Sequence, residues 1–272
     1  MKRLSEVMKE CQRSRRAGFI PYITAGDPDL EATERLVKRL EKAGAVALEL
    51  GVPFSDPMAD GPVNQRSAER ALKSGTTLLK ILASVKRLRE GGVKMPLVLF
   101  TYLNPVLKMG YEKFAEAAVV SGVSGVLTLD LPPEEAEGYC KILGAVGLET
   151  IFLASPTTSS ERLKMIGEKS TGFVYYVSRT GVTGTQNSLS ESLRPEMKKL
   201  REAISGPIAV GFGISAPEHA RDVSRLADGV IVGSALVKRI EDSGASLTPE
   251  SEDKIIRFAE SLITSIEMKG EW

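Results

Sequence analysis

Histidine and cysteine are nearly missing from this sequence: His219 is the one histidine, and Cys11 and Cys140 are the two cysteines. They supply neither a disulfide framework nor a thiolate or imidazole metal cluster, so no metal is expected. They also argue against a histidine-based catalytic triad. Acid–base chemistry therefore falls to carboxylates. An excess of one charge is missing too, since 36 Lys and Arg face 35 Asp and Glu. A binder of the phosphate backbone needs a basic excess or stripe, which argues against nucleic acid as a partner. No apolar run reaches the ~18–20 residues of a membrane span. The segment from Met1 to Arg16 is interrupted by Glu6 and Glu10, unlike the apolar stretch of a secretory signal. Leu4, Val7, Met8 and Cys11 instead share one helix face. A cytoplasmic protein without a membrane partner is expected.

What the sequence does hold is a regular alternation. Eight short runs rich in β-branched or apolar residues cover Phe19–Ala25, Val46–Gly51, Pro96–Tyr102, Gly125–Leu131, Thr150–Ala154, Phe173–Ser178, Pro207–Phe212 and Gly229–Gly233. Segments of helical period lie between them, as with Leu36, Val37 and Leu40 ahead of Gly44. Such alternation describes βαβ units and a parallel sheet, and eight units favour a closed (β/α)8 barrel over an open doubly wound sheet. Pro21 fits poorly inside the first strand. The N-terminal amphipathic segment is expected to cover the bottom of the barrel as an extra helix, and Pro249 to Ile266 to close it. No linker divides the chain, so one domain spanning residues 1–272 is expected. The two longest intervals follow the second and sixth strands, on the face where a barrel carries its chemistry.

Alternation in the second strand sets Leu48 and Leu50 on one face and Ala47, Glu49 and Gly51 on the other. Glu49 would then face the barrel interior, where lost hydration raises a carboxyl pKa toward useful acid–base values. The loop behind it offers two further carboxylates, Asp56 and Asp60, and spacing does not choose between them. After the sixth strand, Ser178 to Gln186 with Gly181 and Gly184 reads as a lid offering backbone amides to a phosphate. Gly211-Phe212-Gly213-Ile214-Ser215-Ala216 fits G-x-G-x-x-A, yet no acid ends the next strand, where a dinucleotide site requires one. Glycines after strands seven and eight, the latter opening a helix at Ser234, fit a phosphate site better. His219 lies beyond a strand end and is read as a packing residue. No lysine occurs in the eight runs, against a Schiff-base aldolase. Tyr22, Phe100, Tyr102, Tyr175 and Phe212 lie in or just after strands and are read mostly as core packing, with several near the upper ends placed to line a pocket for a planar apolar group instead.

The stretch Leu48-Glu49-Leu50-Gly51-Val52-Pro53-Phe54-Ser55-Asp56-Pro57, continued by Ala59-Asp60-Gly61-Pro62, resembles the signature of the tryptophan synthase alpha chain family. Tyr22 to Pro28, Asp130-Leu131-Pro132, Ser178 to Gly184 and Gly211 to Ser215 support it, in family order across nearly the whole chain. The resemblance implies a lyase that splits indole-3-glycerol phosphate into indole and glyceraldehyde 3-phosphate, without cofactor. It implies that Glu49 protonates the ring carbon bearing the side chain and accepts the side-chain hydroxyl proton, and that Asp60 serves the indole N–H. By the same resemblance Gly184, Gly213, Gly233 and Ser234 hold the phosphate. Thr183 closes onto Asp60, and Tyr22, Phe100, Tyr175 and Phe212 surround the indole. Pro53 and Asp56 would meet a beta chain in an alpha2-beta2 heterotetramer.

Overall fold

The computed structural model describes residues 2–178, 189–211 and 213–267. After a helix α1 (Leu4–Ser14), the chain alternates β1 (Gly18–Thr24), α2 (Leu30–Ala43), β2 (Leu48–Gly51), α3 (Pro62–Lys73), α4 (Leu78–Glu90) and β3 (Leu97–Thr101). It continues with α5 (Leu103–Met109), α6 (Tyr111–Ser121), β4 (Gly125–Thr128), α7 (Glu137–Ala145), β5 (Glu149–Ala154), α8 (Ser160–Lys169) and β6 (Val174–Val177). Then come α9 (Leu189–Ala203), β7 (Ile208–Gly211), α10 (Pro217–Ser224), β8 (Gly229–Val232), α11 (Ser234–Asp242) and α12 (Pro249–Ser265). All neighbouring strands are parallel, and β8 pairs with β1 to close the barrel. The eight runs expected to be strands are strands, and the fold is the (β/α)8 barrel.

Local chemistry explains the punctuation. Asp29 caps α2 by accepting the Ala32 N–H at 2.7 Å, and Gly44 ends it at φ 109°. Thr248 caps α12, with Pro249 in its first turn. The strands are short and apolar because both of their faces are covered. Pro21 does sit inside β1. It falls where pairing passes from β8, over Gly18 to Pro21, to β2, over Tyr22 to Thr24.

Among the described residues two apolar clusters form. Leu48 and Leu50 belong to the outer one with Leu36, Val37 and Leu40 of α2, between strands and helices. Inside the barrel, Ile20, Ala47, Val98, Leu127, Ile151, Phe173, Ala209 and Ile231 pack with Leu4 and Met8 of α1. Helix α1 thus plugs the bottom, as the periodicity of its apolar residues implied. Gly172 makes room for it, since a Cβ there would stand 2.8 Å from the Leu4 side chain. The buried Glu149 carboxylate accepts the Ser5 N–H at 3.1 Å, an anion at the positive end of α1. Helix α12 is tied to α2 through Glu252, which pairs with Arg35 at 2.7 Å and Arg39 at 3.4 Å. No described helix is long and apolar enough to cross a membrane.

Candidate active site

With the bottom and middle of the barrel filled, the space left for chemistry is at the upper end. A cavity of ≈ 310 Å³ opens there, lined by Tyr22, Asn64, Phe100, Tyr175, Gly213, Ile214, Ile231, Gly233 and Ser234, with Gly61, Pro62 and Val63 at its rim. Six residues named from the sequence for substrate or phosphate are therefore gathered around one space. Thr183, Gly184 and Phe212 lie outside the described residues.

Glu49 follows from period-two alternation: the leucines on either side of it face the helices, so its carboxyl faces inward. It is 0 % exposed, and neither carboxyl oxygen has a hydrogen-bond partner. The backbone amides that a merely structural carboxylate would recruit do not reach it. Burial alone pushes its pKa from 4.5 to about 8. It lies opposite Tyr22 in the β1–β2 register and opposite Val98 on β3. Tyr22 meets Phe100 edge to face at 4.9 Å, and its hydroxyl pairs with that of Thr24 at 3.3 Å. Burial holds the hydroxyls of Tyr22 and Tyr175 protonated, with Glu49 and Asp60 adding to the effect.

Asp60 stands at the end of the loop after β2, just before Gly61 and the first turn of α3. Its carboxyl pKa is also raised by burial, against two hydrogen bonds that favour the charged form. Tyr102 donates to Oδ2 at 2.9 Å, and Asn64 donates to Oδ1 at 3.4 Å. The Tyr102 hydroxyl oxygen also accepts the Ala59 N–H at 3.0 Å, and its ring packs 5.1 Å from that of Phe54. Tyr102 thus binds the loop to β3. Asp56, by contrast, is exposed and accepts from the neighbouring Ser55 hydroxyl at 2.6 Å. Met58 beside it is 92 % exposed, while Pro53 is buried within this chain.

Across the cavity, Gly213 takes φ 73° and Gly233 caps α11, whose first residue is Ser234. Among the described residues, no lysine or arginine lines the cavity. An anion there would rest on the amides and dipole of the α11 N-terminus. His219 lies away from this space on α10, where Nδ1 accepts the Ser215 N–H at 3.4 Å. Sequence reasoning left two participants out. In the sequence Tyr102 is only a strand-end aromatic, and Asn64 carries no signal beyond following Asp60 on the first turn of a helix.

The sequence pattern of the family described as "Tryptophan synthase alpha chain" matches residues 8–267. The chain belongs to that family. It is 50% identical over 242 residues to the tryptophan synthase alpha chain of Geotalea uraniireducens, covering 89% of this chain and 90% of the relative. Among solved structures, tryptophan synthase subunit alpha of Legionella pneumophila superposes with a TM-score of 0.89 at 38% identity, over 97% of this chain and 98% of that one. A structure of the tryptophan synthase a2b2 complex from Pyrococcus furiosus matches with a TM-score of 0.84 at 41% identity, over 92% and 98%. The protein is accordingly a lyase of tryptophan biosynthesis, with the alpha reaction that the signature around Glu49 implied.

Proposed function

We propose that Glu49 and Asp60 carry out the retro-aldol cleavage of indole-3-glycerol phosphate in a single-domain barrel. The observation that supports this most is the Glu49 carboxyl, unexposed and without partners, whose pKa of about 8 leaves it protonated at neutral pH. It gives its proton to the ring carbon bearing the glycerol phosphate chain. Positive charge then develops at the ring nitrogen, and Asp60 either stabilises it or takes the N–H proton and returns it as the electrons come back to the ring. The Glu49 carboxylate left behind accepts the proton of the side-chain hydroxyl. The carbon–carbon bond breaks, its electrons return to the ring, and the hydroxyl carbon becomes the aldehyde. Glu49 ends protonated again, and no cofactor is needed to balance the step.

Tyr22, Phe100, Tyr175 and Phe212 would enclose the indole, and Gly184, Gly213, Gly233 and Ser234 the phosphate, with Thr183 closing toward Asp60. Asp56 and Met58 are exposed beside the site and suit contact with a beta chain in an alpha2-beta2 assembly, whereas the buried Pro53 would act there only by shaping the loop. The cytoplasm is the expected compartment. The deciding experiment follows indole release from indole-3-glycerol phosphate, using the purified chain with and without a cognate beta chain. Indole that appears, accelerates with the partner and disappears in Glu49→Gln is expected. Absence of indole in both cases would overturn the reaction, and wild-type turnover in Glu49→Gln would overturn the roles.

A further inference from the structure

Asn64 is the third residue of α3 and lines the cavity, yet it does nothing for its own helix. Its amide nitrogen donates to Asp60 Oδ1 at 3.4 Å, while its oxygen is buried without any hydrogen-bond partner. Burying an acceptor unpaired is costly. Of the lining side chains, those of Val63, Ile214 and Ile231 carry no donor, the Tyr22 hydroxyl is already paired with Thr24, and the Tyr175 and Ser234 hydroxyls do not reach the Asn64 oxygen. Asn64 lines the cavity with its stranded oxygen, and the Asp60 carboxylate stands directly behind it on the Asn64 amide nitrogen, so two acceptors lie together at this wall.

We infer that Asn64 is a positioning and specificity residue of this site: its N–H holds the Asp60 carboxylate, and its unpartnered oxygen shares, as a second acceptor, the one ring N–H of the substrate that faces Asp60. This role rests on the reading of Asp60 as the partner of the indole nitrogen. Each Asp60 oxygen then has one protein donor, Tyr102 on Oδ2 and Asn64 on Oδ1. Both donors favour the charged carboxylate and oppose the burial that favours the neutral acid. The reverse orientation of the Asn64 amide would set two acceptors against each other, which only a proton on Asp60 could relieve. As charge grows on the ring nitrogen, the Asn64 oxygen points a fixed negative dipole at it without reorganising. A ring of the same shape lacking the N–H leaves that oxygen unpaired and is rejected for this reason.

Two variants test this. Asn64→Leu keeps the volume and removes both polar ends; Asn64→Asp keeps the shape and sets a second carboxyl beside Asp60. Measured as kcat/KM for indole release against pH, both should move the acidic limb to higher pH, Asn64→Asp further. Turnover on that limb should fall about threefold to tenfold, with the alkaline limb set by Glu49 in place. Carbon-13 NMR titration of Asp60 in the unliganded proteins reads the same shift without turnover, so it stands even if the proposed reaction fails. Indole and benzothiophene, which lacks the N–H, are then compared as ligands by calorimetry. The wild type should prefer indole by about tenfold or more, and Asn64→Leu should lose most of that preference. An Asp60 titration that stays put or moves down in Asn64→Leu would overturn the positioning role. An unchanged preference for indole would overturn the specificity role. Wild type that yields no indole at any pH would instead overturn the reaction itself.

Discussion

Arg70 grips Asp27 through two parallel hydrogen bonds of 2.8 Å, Nε to Oδ1 and Nη2 to Oδ2. Ser67 adds a third to the same carboxylate at 2.8 Å, and Arg70 reaches on to Glu241 at 3.1 Å. Asp27 belongs to the loop after β1, Arg70 to α3 and Glu241 to α11. The helix that begins beside Asp60 is thereby locked to the helix whose first residue, Ser234, lines the far side of the cavity. Bidentate geometry makes this lock stiff, and Asp27 is almost fully buried.

Arg70→Met should therefore cost roughly 3–5 kcal/mol, because it leaves the Asp27 carboxylate buried without its cation. Urea unfolding at neutral pH measures this. KM for the phosphate-bearing substrate should rise as well, since α3 and α11 lose their fixed spacing. A variant as stable as the wild type would show that solvent or Ser67 replaces the guanidinium.

Gly51 and Tyr22 compete for one volume. A Cβ at Gly51 would lie 2.3 Å from the Tyr22 hydroxyl oxygen and 2.7 Å from Cζ, so the ring itself is in the way. Gly51→Ala should destabilise by about 1–3 kcal/mol and depress turnover. Adding Tyr22→Leu should restore part of the stability, making the double variant less damaged than the sum of the singles. Additive losses in a double-mutant cycle would contradict the shared volume. Gly211 and Tyr175 repeat the arrangement across the barrel, at 2.4 Å.

Glu49 makes stability depend on pH with a definite sign. Its folded pKa of about 8 exceeds the ordinary 4.5, so the folded chain holds a proton that the unfolded chain has lost between those values. The wild type is thus relatively most stable below pH 4.5 from this group, and loses that advantage as pH rises through about 8. Glu49→Gln carries no such titration. Its stability relative to wild type should grow from pH 5 to pH 9 by an amount on the order of a few kcal/mol, read by thermal or urea unfolding. A constant difference across that range would mean that Glu49 is solvated in the folded protein.

The barrel was legible because its signals are local. Each strand announces itself by five or so apolar residues, each α2-like helix by a period of 3.6 with a cap at either end, and α1 by four apolar residues on one face. Glu49 was legible for the same reason, since period two alone sends it to the face opposite Leu48 and Leu50. Pro21 was the misleading local signal. A proline is tolerated in β1 because pairing changes neighbour at that residue, a fact of register that composition does not encode.

What the sequence by itself determined was the order of elements, the inward carboxylate and, through the signature around it, the family. The choice between Asp56 and Asp60 lay beyond residue spacing, because both are loop aspartates a few residues apart. Tertiary structure separates them: Asp60 is brought under the hydroxyl of Tyr102, which follows β3, and beside Asn64, whereas Asp56 stays exposed with Ser55. The lock of Arg70 on Asp27 and the stranded oxygen of Asn64 belong to tertiary structure in the same way. Hydrogen bonds between residues distant in sequence, and the burial that perturbs a carboxyl, exist only once the barrel has closed.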